Sequence, residues 1–119
     1  MNTLVRQLAN SLVLDTEAEP ASPPCVYTTA ICTDADLVTC LSGVARISRD
    51  LGFSEEPETL YSSDGASATY HADHCREAVT LAVDCNPRRR TVALAVSGLD
   101  DEATHGCFRE LEEALFGGC

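Results

Sequence analysis

The alternation of hydrophobic and polar residues is most regular in residues 77–97. Valine and leucine alternate there with small or polar residues on both sides of a Pro-Arg-Arg segment. Strict alternation is typical of strands with one buried face. The pattern predicts a hairpin with a loop at 85–89 and an inner face made of Val79, Leu81, Val83, Val92, Leu94 and Val96. The outer face would then carry small residues, chiefly Thr80, Ala82, Ala93 and Ala95.

A helical period dominates residues 34–51. Leucine, valine and isoleucine recur there every three or four positions, which predicts an amphipathic helix. Thr33, with Asp36 three residues later, resembles a capping box at its start. Gly52 is placed as the residue that ends the helix, and Phe53 as its hydrophobic follower.

Four other segments complete the predicted body. Residues 25–32 are rich in β-branched and aromatic side chains, which predicts a strand. Residues 54–58 are acidic and contain a proline, which predicts a loop. Residues 59–72 predict a weaker hairpin with a two-residue Asp-Gly turn. Residues 100–116 carry an apolar stripe at helical spacing and predict the last helix.

The first 24 residues differ in composition from the rest. Leucines at helical spacing predict a short helix over 3–14, and the acidic, proline-containing segment 15–24 predicts a linker. We therefore expect an N-terminal segment of residues 1–24 and a single α+β domain of residues 25–119. The predicted order is α-β-α-β-β-β-β-α, with an antiparallel meander sheet and helices packed on one face.

The charge balance excludes several kinds of chemistry. Asp and Glu number 19 against 8 basic residues, for a formal net charge of −11, and every basic residue is arginine. The lack of lysine excludes Schiff-base chemistry, a lysine nucleophile and a P-loop. We attribute it to codon usage in a GC-rich genome, with salt adaptation or escape from lysine modification as alternatives. So acidic a chain also lacks the basic surface of general nucleic-acid-binding proteins.

Seven cysteines are present, an odd number. No secretory signal precedes them, which argues against a secreted disulfide scaffold. No C-x-x-C motif occurs, which weakens a zinc ribbon or a thioredoxin-type site. We expect Cys32, Cys40 and Cys107 to be reduced thiols in the core, because they fall among periodic apolar positions.

The residues His71, His74 and Cys75 are the best candidates for a metal or thiol site. They lie close together at a predicted strand end, and Cys85 follows at the far end of the next strand. Tetrahedral zinc needs four such ligands at about 2.0–2.3 Å, and this spacing suits it poorly. The competing interpretation is a polar turn beside unrelated cysteines.

Three consecutive arginines, Arg88, Arg89 and Arg90, stand at the tip of the predicted 77–97 hairpin. Guanidinium groups bind phosphates and carboxylates in bidentate fashion, so the cluster is a candidate site for an anionic partner. The alternative is that the arginines neutralise the protein's own acidic surface. The predicted last helix, residues 100–116, is acidic instead. Its charged side is either a solubilising face or a mimic of nucleic-acid phosphates.

The leading functional hypothesis is a non-enzymatic protein-binding module, such as a small acidic adaptor, chaperone or assembly subunit. We expect it to bind another protein, or itself, through the outer face of the 77–97 hairpin, without a cofactor. A metal- or thiol-dependent enzyme using His71, His74 and Cys75 is one alternative, and an acidic inhibitor that mimics nucleic acid is another. No transmembrane segment or signal peptide is predicted, so we expect a cytoplasmic protein.

Overall fold

Residues 24–117 are described by a computed structural model, in which the elements follow the order β-α-β-β-β-β-α. These elements are β1 (Cys25–Cys32), α1 (Leu37–Asp50), β2 (Glu55–Tyr61), β3 (Ala68–Asp73), β4 (Val79–Asn86), β5 (Thr91–Gly98) and α2 (Asp101–Phe116). The α+β prediction, with an antiparallel sheet and helices packed on it, is confirmed. The helix predicted over 3–14 lies outside the described residues.

The five strands form one antiparallel sheet in the order β1-β5-β4-β3-β2. The β4–β5 hairpin therefore lies in the middle of the sheet rather than at its edge. Strand β1 completes the sheet by pairing with β5, from Cys25 opposite Gly98 to Cys32 opposite Thr91. Both edges of the predicted 77–97 hairpin are thus occupied, and only its outer face remains available.

Both helices pack on the same side of the sheet, where the large hydrophobic side chains of β4 and β5 point. Along β4 and β5, every second residue is buried, as the alternation predicts. The helices contribute mainly Val44 from α1 and Cys107, Phe108 and Leu111 from α2. The strands contribute Tyr70, Ala72, Val79, Leu81, Val83, Cys85, Val92, Leu94 and Val96.

The start of α1 differs from the predicted capping box. Asp36, not Thr33, is the N-cap, and its Oδ1 accepts a hydrogen bond from the Thr39 N–H at 2.8 Å. That bond lowers the pKa of Asp36 below its ordinary value. The helix begins at Leu37, so Thr33 lies too far before it to be the cap, and its Oγ1 instead accepts a bond from the Ala35 N–H at 3.2 Å. The Thr33 N–H bonds to the Arg90 carbonyl at 2.9 Å and extends the β1–β5 pairing.

The end of α1 agrees with the prediction. Gly52 has φ +98°, and its N–H bonds to the Arg49 carbonyl at 3.1 Å. The next N–H, of Phe53, reaches back to the Ser48 carbonyl at 2.9 Å. These two bonds form a Schellman motif, in which a glycine takes the left-handed position. Phe53 is buried and closes this end of the core.

The predicted loop over 54–58 is wrong, since Glu55 already belongs to β2. The register between β2 and β3 shifts between Glu55 and Glu58, and Glu56 has φ +48°. A bulge at the sheet edge accommodates Pro57, which has no N–H to donate to a neighbouring strand. The sequence signal failed because acidic residues and proline are rare in central strands yet frequent at edges.

The turn between β2 and β3 is longer than the two residues predicted. The N–H of Ser62 bonds to the Ser67 carbonyl at 2.8 Å, and Gly65 has φ +70°. The Asp64 Oδ1 accepts bonds from the Ser62 hydroxyl and the Ala66 N–H. The carboxylate thus organises the wider turn that the Asp-Gly pair alone did not specify.

The cysteines divide differently from the prediction. Cys107 is buried and Cys40 packs against the core, but Cys32 is exposed, so its assignment to the core is wrong. Cys32 alternates with the covered residue Ile31 and therefore points to the side without helices. Cys85, expected in a loop, is instead buried in β4, and burial beside Cys40 raises the pKa of its thiol.

Candidate functional site

The side of the sheet opposite the helices is the largest candidate surface, and we call it the open face. Within residues 24–117, both helices pack on the other side. The strand registers place on the open face Val26, Thr28, Ala30, Cys32, Glu58, Leu60, Thr69, His71, Asp73, Thr80, Ala82, Asp84, Asn86, Thr91, Ala93, Ala95 and Ser97. It contains the predicted binding residues Thr80, Ala82, Ala93 and Ala95.

The half of the open face formed by β1 and β5 carries no charge, and we call it the uncharged half. Its members are Val26, Thr28, Ala30, Cys32, Thr91, Ala93, Ala95 and Ser97. The β1 side chains are exposed, with Val26 at 60%. These side chains are small, and together they carry more methyl groups than hydrogen-bonding groups.

The opposite half of the open face is acidic. Asp73 and Asp84 lie on it, and each accepts a hydrogen bond from a threonine of the neighbouring strand. The Thr80 hydroxyl donates to Asp73 at 2.8 Å, and the Thr69 hydroxyl donates to Asp84 at 3.1 Å. These bonds fix the carboxylates in place on the strands. The open face thus runs from an uncharged edge to an acidic one.

His71 lies within the acidic half, paired across β2 and β3 with Glu58. Partial burial lowers the pKa of the imidazole below its ordinary value, and the Glu58 carboxylate acts in the opposite direction. The neutral ring is therefore favoured. His71 points to the open face, whereas His74 and Cys75 lie in the loop that follows β3.

His74 serves the structure of that loop. Its Nδ1 accepts hydrogen bonds from the backbone N–H groups of Arg76 and Glu77 at 3.1 and 3.0 Å. Its ring packs edge-on against Phe53, with ring centroids 5.0 Å apart. A Cβ on Gly52 would lie 2.6 Å from its Nε2, so the glycine makes room for the ring. The ring links the end of α1 to the β3–β4 loop.

The structure does not bring the predicted metal ligands together. Cys75 is exposed, while Cys85 lies near the far end of β4, about 20 Å away at the rise of an extended strand. In the part of the chain that the structure describes, no three His, Cys, Asp or Glu side chains are grouped to hold a metal ion. The predicted metal site is therefore not assembled from His71, His74 and Cys75.

The three arginines occupy the β4–β5 turn, and two of them pair with the chain's own carboxylates. Arg88 bonds to Asp64 at 3.0 Å, and the Nε of Arg90 bonds to Asp34 at 2.8 Å. Asp64 also accepts the Ala66 N–H and the Ser62 hydroxyl, and with Arg88 these bonds lower its pKa to about 2. The Arg89 side chain has no hydrogen-bond partner among residues 24–117. This arrangement favours neutralisation of the protein's own surface.

A cluster that the sequence did not indicate lies at the other end of β1. The Tyr27 hydroxyl donates to the Asp101 carboxylate, and the Tyr27 ring stacks on Phe108 with centroids 5.6 Å apart. The bond to Asp101 raises the pKa of Tyr27 to about 12, and it lowers that of Asp101. Burial and the same carboxylate raise the pKa of the Cys25 thiol. Tyr27 and Cys25 therefore stay protonated beside the ionised Asp101, and the cluster anchors α2 on β1.

The sequence did not reveal that β1 belongs to the candidate surface. Its small and β-branched residues predicted a strand, but nothing in the local pattern specifies which strand it pairs with. Only the pairing with β5 places Thr28 and Ala30 beside Ala93 and Ala95. Strand β1 thus adds Val26, Thr28, Ala30 and Cys32 to the uncharged residues that the hairpin alone would present.

Comparison with known proteins adds no assignment. No family model matches the chain, and no curated protein matches its sequence significantly. Among residues 24–117, neither helix is long and apolar enough to cross a membrane.

Proposed function

We propose that this chain is a non-enzymatic protein-binding module that holds a partner protein on its open face. The observation that carries the proposal is the uncharged half of that face, where β1 and β5 present alanine, threonine and serine without one charged side chain. A strand face that remains in water normally alternates polar and charged residues. Small apolar residues over two adjacent strands are typical of a covered surface.

The dimensions of the face suit a single helix of the partner. Neighbouring strands lie about 4.8 Å apart, so five strands span about 20 Å. An α-helix with its side chains is about 10–12 Å wide. One helix would therefore cover the uncharged half, just as α1 and α2 together cover the opposite side of the sheet. Alanine at Ala93 and Ala95 lets such a helix approach the strands closely.

The charge distribution indicates the chemistry of the partner. The acidic half of the face carries Asp73, Asp84 and Glu58, and the whole chain has a net charge of −11. A helix with an apolar strip and arginine or lysine along one flank would match both halves. Opposite charges steer association and fix orientation more than they add affinity. The role of adaptor, chaperone or assembly subunit follows from binding such a segment.

The other hypotheses receive no comparable support. The Nδ1 of His74 already accepts two backbone bonds, and Cys75 is exposed. Among residues 24–117 no metal-ligand group is assembled, so the metal- or thiol-enzyme hypothesis has no site to support it. Two of the three arginines have internal partners. The acidic outer side of α2 carries no feature that distinguishes a nucleic-acid mimic from a solvated helix.

The test compares Ala93→Arg with Ser42→Arg in tagged full-length chain expressed in its native host. Ala93 lies at the centre of the uncharged half, whereas Ser42 is exposed on α1, on the other side of the molecule. Both variants add the same charge. We expect wild type and Ser42→Arg to retain one common partner, and Ala93→Arg to lose it. The purified partner should then bind wild type more weakly as salt rises.

Retention of every partner by Ala93→Arg would contradict the proposal. So would loss of the partner by both variants, since that result would reflect the added charge and not the face. Circular dichroism of each variant, matched to wild type, establishes that folding is preserved.

A further inference from the structure

The two edges of the sheet differ in their protection against pairing with another strand. Edge strand β2 has the sequence EEPETLY, with three glutamates, a proline and a bulge. Natural proteins use such features to block pairing at a sheet edge. Edge strand β1 has the sequence CVYTTAIC, eight residues without charge, proline or bulge. In the described part of the chain, no strand pairs with its outer side.

The two ends of β1 differ in charge, since one is acidic and the other carries both signs. Beside Cys25, the start of α2 brings Asp100, Asp101 and Glu102, and we call this the acidic end. Beside Cys32, the β4–β5 turn brings Arg89 and Arg90, while Asp34 and the helix cap Asp36 follow the strand, and we call this the arginine end. Arg90 is paired with Asp34, whereas the Arg89 side chain has no hydrogen-bond partner among residues 24–117.

We propose that β1 pairs antiparallel with β1 of a second copy of this chain, so that two sheets join into one across a two-fold axis. The antiparallel direction places the acidic end of each copy against the arginine end of the other. A parallel arrangement would place like charges together. The proposal does not depend on the proposed binding of another protein to the open face.

The side chains of β1 fit this pairing in either of two registers. A two-fold axis perpendicular to the sheet keeps the helices of both copies on the same side, so residues that face each other must share a side of the sheet. An axis at Thr28 puts Val26 opposite the partner's Ala30. An axis at Thr29 puts Val26 opposite the partner's Cys32. Neither register opposes two charges, and both join the uncharged halves into one continuous strip.

Disulfide trapping in the full-length chain tests the pairing directly. Opposite residues of antiparallel strands have Cβ atoms about 4.5–5.5 Å apart, close to the separation that a disulfide needs. Thr28→Cys would cross-link to itself if the axis is at Thr28. Val26→Cys would cross-link to the partner's Cys32 if the axis is at Thr29. Ala93→Cys, one strand further in on the open face, is the matched control.

We expect one of the two β1 variants to form its specific disulfide under mild oxidation at least about tenfold faster than the control, because pairing raises the effective concentration of the two thiols. Mass spectrometry of the cross-linked peptide identifies the pair.

Light scattering at about 0.15 M salt should give twice the chain mass for wild type and Ser42→Arg. Thr28→Arg, which sets two guanidinium groups across the joint, should fall to the single-chain mass.

Three results would overturn the inference. Wild type could remain at the single-chain mass up to about millimolar concentration, which would mean that any dimer has a dissociation constant weaker than about 1 mM. The dimer could cross-link through Ala93→Cys instead, which would mean that two open faces stack. Thr28→Arg could keep the dimer mass. Neither a single-chain mass nor a dimer retained by Thr28→Arg bears on partner loss by Ala93→Arg, so those results leave the proposed function untouched. Stacked open faces would instead identify a second copy as the occupant of that face.

Discussion

The two sides of the sheet are made from the same five strands, yet they differ in the size of their side chains. On the helix-covered side, β4 and β5 present leucine, valine and cysteine, each at most 5% exposed. On the open face, the alternate positions carry alanine, threonine and serine, with Asp84 and Asn86 near the end of β4. Alternation of residue type alone indicates a strand, whereas the larger side-chain volume indicates the side of the sheet on which the chain's own helices pack.

The centre of this sheet does not have the charged outer face that is typical of strands exposed to water. A solvated strand face would carry lysine, arginine or glutamate at most outward positions. Here Ala82, Ala93 and Ala95 occupy those positions on the two central strands. The open face thus resembles neither the core nor an ordinary exterior, which is why its occupancy is the central question about function.

Adjacent residues of β4 allow the comparison to be broken most directly. Leu81 is fully buried on the helix-covered side, so Leu81→Ala should lower the free energy of unfolding by about 3 kcal/mol through lost burial and a cavity. Thr80 faces the other way and loses only its bond to Asp73, so Thr80→Ala should cost about 1 kcal/mol or less. Urea unfolding measures both. Equal costs would mean that the open face is as tightly packed as the core.

Gly98 tests how closely α2 approaches the covered side. A Cβ there would lie 2.8 Å from the Ala78 carbonyl oxygen and would also strike the Thr104 hydroxyl. Gly98→Ala should therefore destabilise the fold by about 2 kcal/mol, in the range of overpacked cores. Gly43, with open space around its Cβ position, is the control. Gly43→Ala should stabilise α1, since alanine is the better helix former. An unchanged midpoint for Gly98→Ala would contradict the close approach.

Ser48 is a polar exception on the covered side. Its side chain is fully buried, and its hydroxyl has no hydrogen-bond partner among residues 24–117. Burying a hydroxyl without a partner costs about 1–3 kcal/mol, so Ser48→Ala should raise the free energy of unfolding by about 1 kcal/mol. Ser42→Ala, at an exposed position of the same helix, should change it less. A loss of stability in Ser48→Ala would show that the hydroxyl has a partner.

Asp64 gives a smaller, pH-dependent effect away from both faces. Its pKa is lowered from 3.8 to about 2 in the folded chain. A carboxylate with a lowered folded-state pKa adds stability above its unfolded pKa, and that stability is lost as the pH falls through the folded value. Between about pH 4 and pH 2, the melting temperature of wild type should therefore fall more steeply than that of Asp64→Asn. Parallel curves would contradict the role of this turn carboxylate.

Removal of residues 1–24 should have the smallest effect. Residues 25–116 form one sheet with both helices packed on it, so we expect a chain that begins at Cys25 to keep a cooperative thermal transition. Calorimetry compares it with the full chain. A broad transition or loss of secondary structure would mean that the boundary at 24 is wrong, and that the N-terminal segment belongs to the core.

The sequence predicts those parts of the fold that depend on local pattern. Alternation gave β4 and β5, and the helical period with Gly52 gave α1 and its end. Local sequence pattern did not predict which distant segments pair with each other. The β1–β5 pairing turned Cys32 outward and extended the open face, and neither result follows from nearby residues.

The candidate site was predicted in part for the same reason. The outer residues of the hairpin, Thr80 to Ala95, are read from alternation and lie on the open face as expected. The ion pairs of Arg88 and Arg90 involve carboxylates far along the chain, Asp64 and Asp34. No local signal distinguishes an arginine with such a partner from one that is free to bind an anion.

The sheet order also has a consequence for the sequence of folding events. The β2–β3 and β4–β5 hairpins join neighbours along the chain, so their loops close at low entropic cost. The β1–β5 pairing joins residues as distant as Cys25 and Gly98, which is the kind of contact that slows folding. We expect β1 to pair with β5 last, after the other four strands have formed their sheet. During that interval β5 is itself an edge, and the interval is when a nascent chain is most exposed to pairing with the wrong strand.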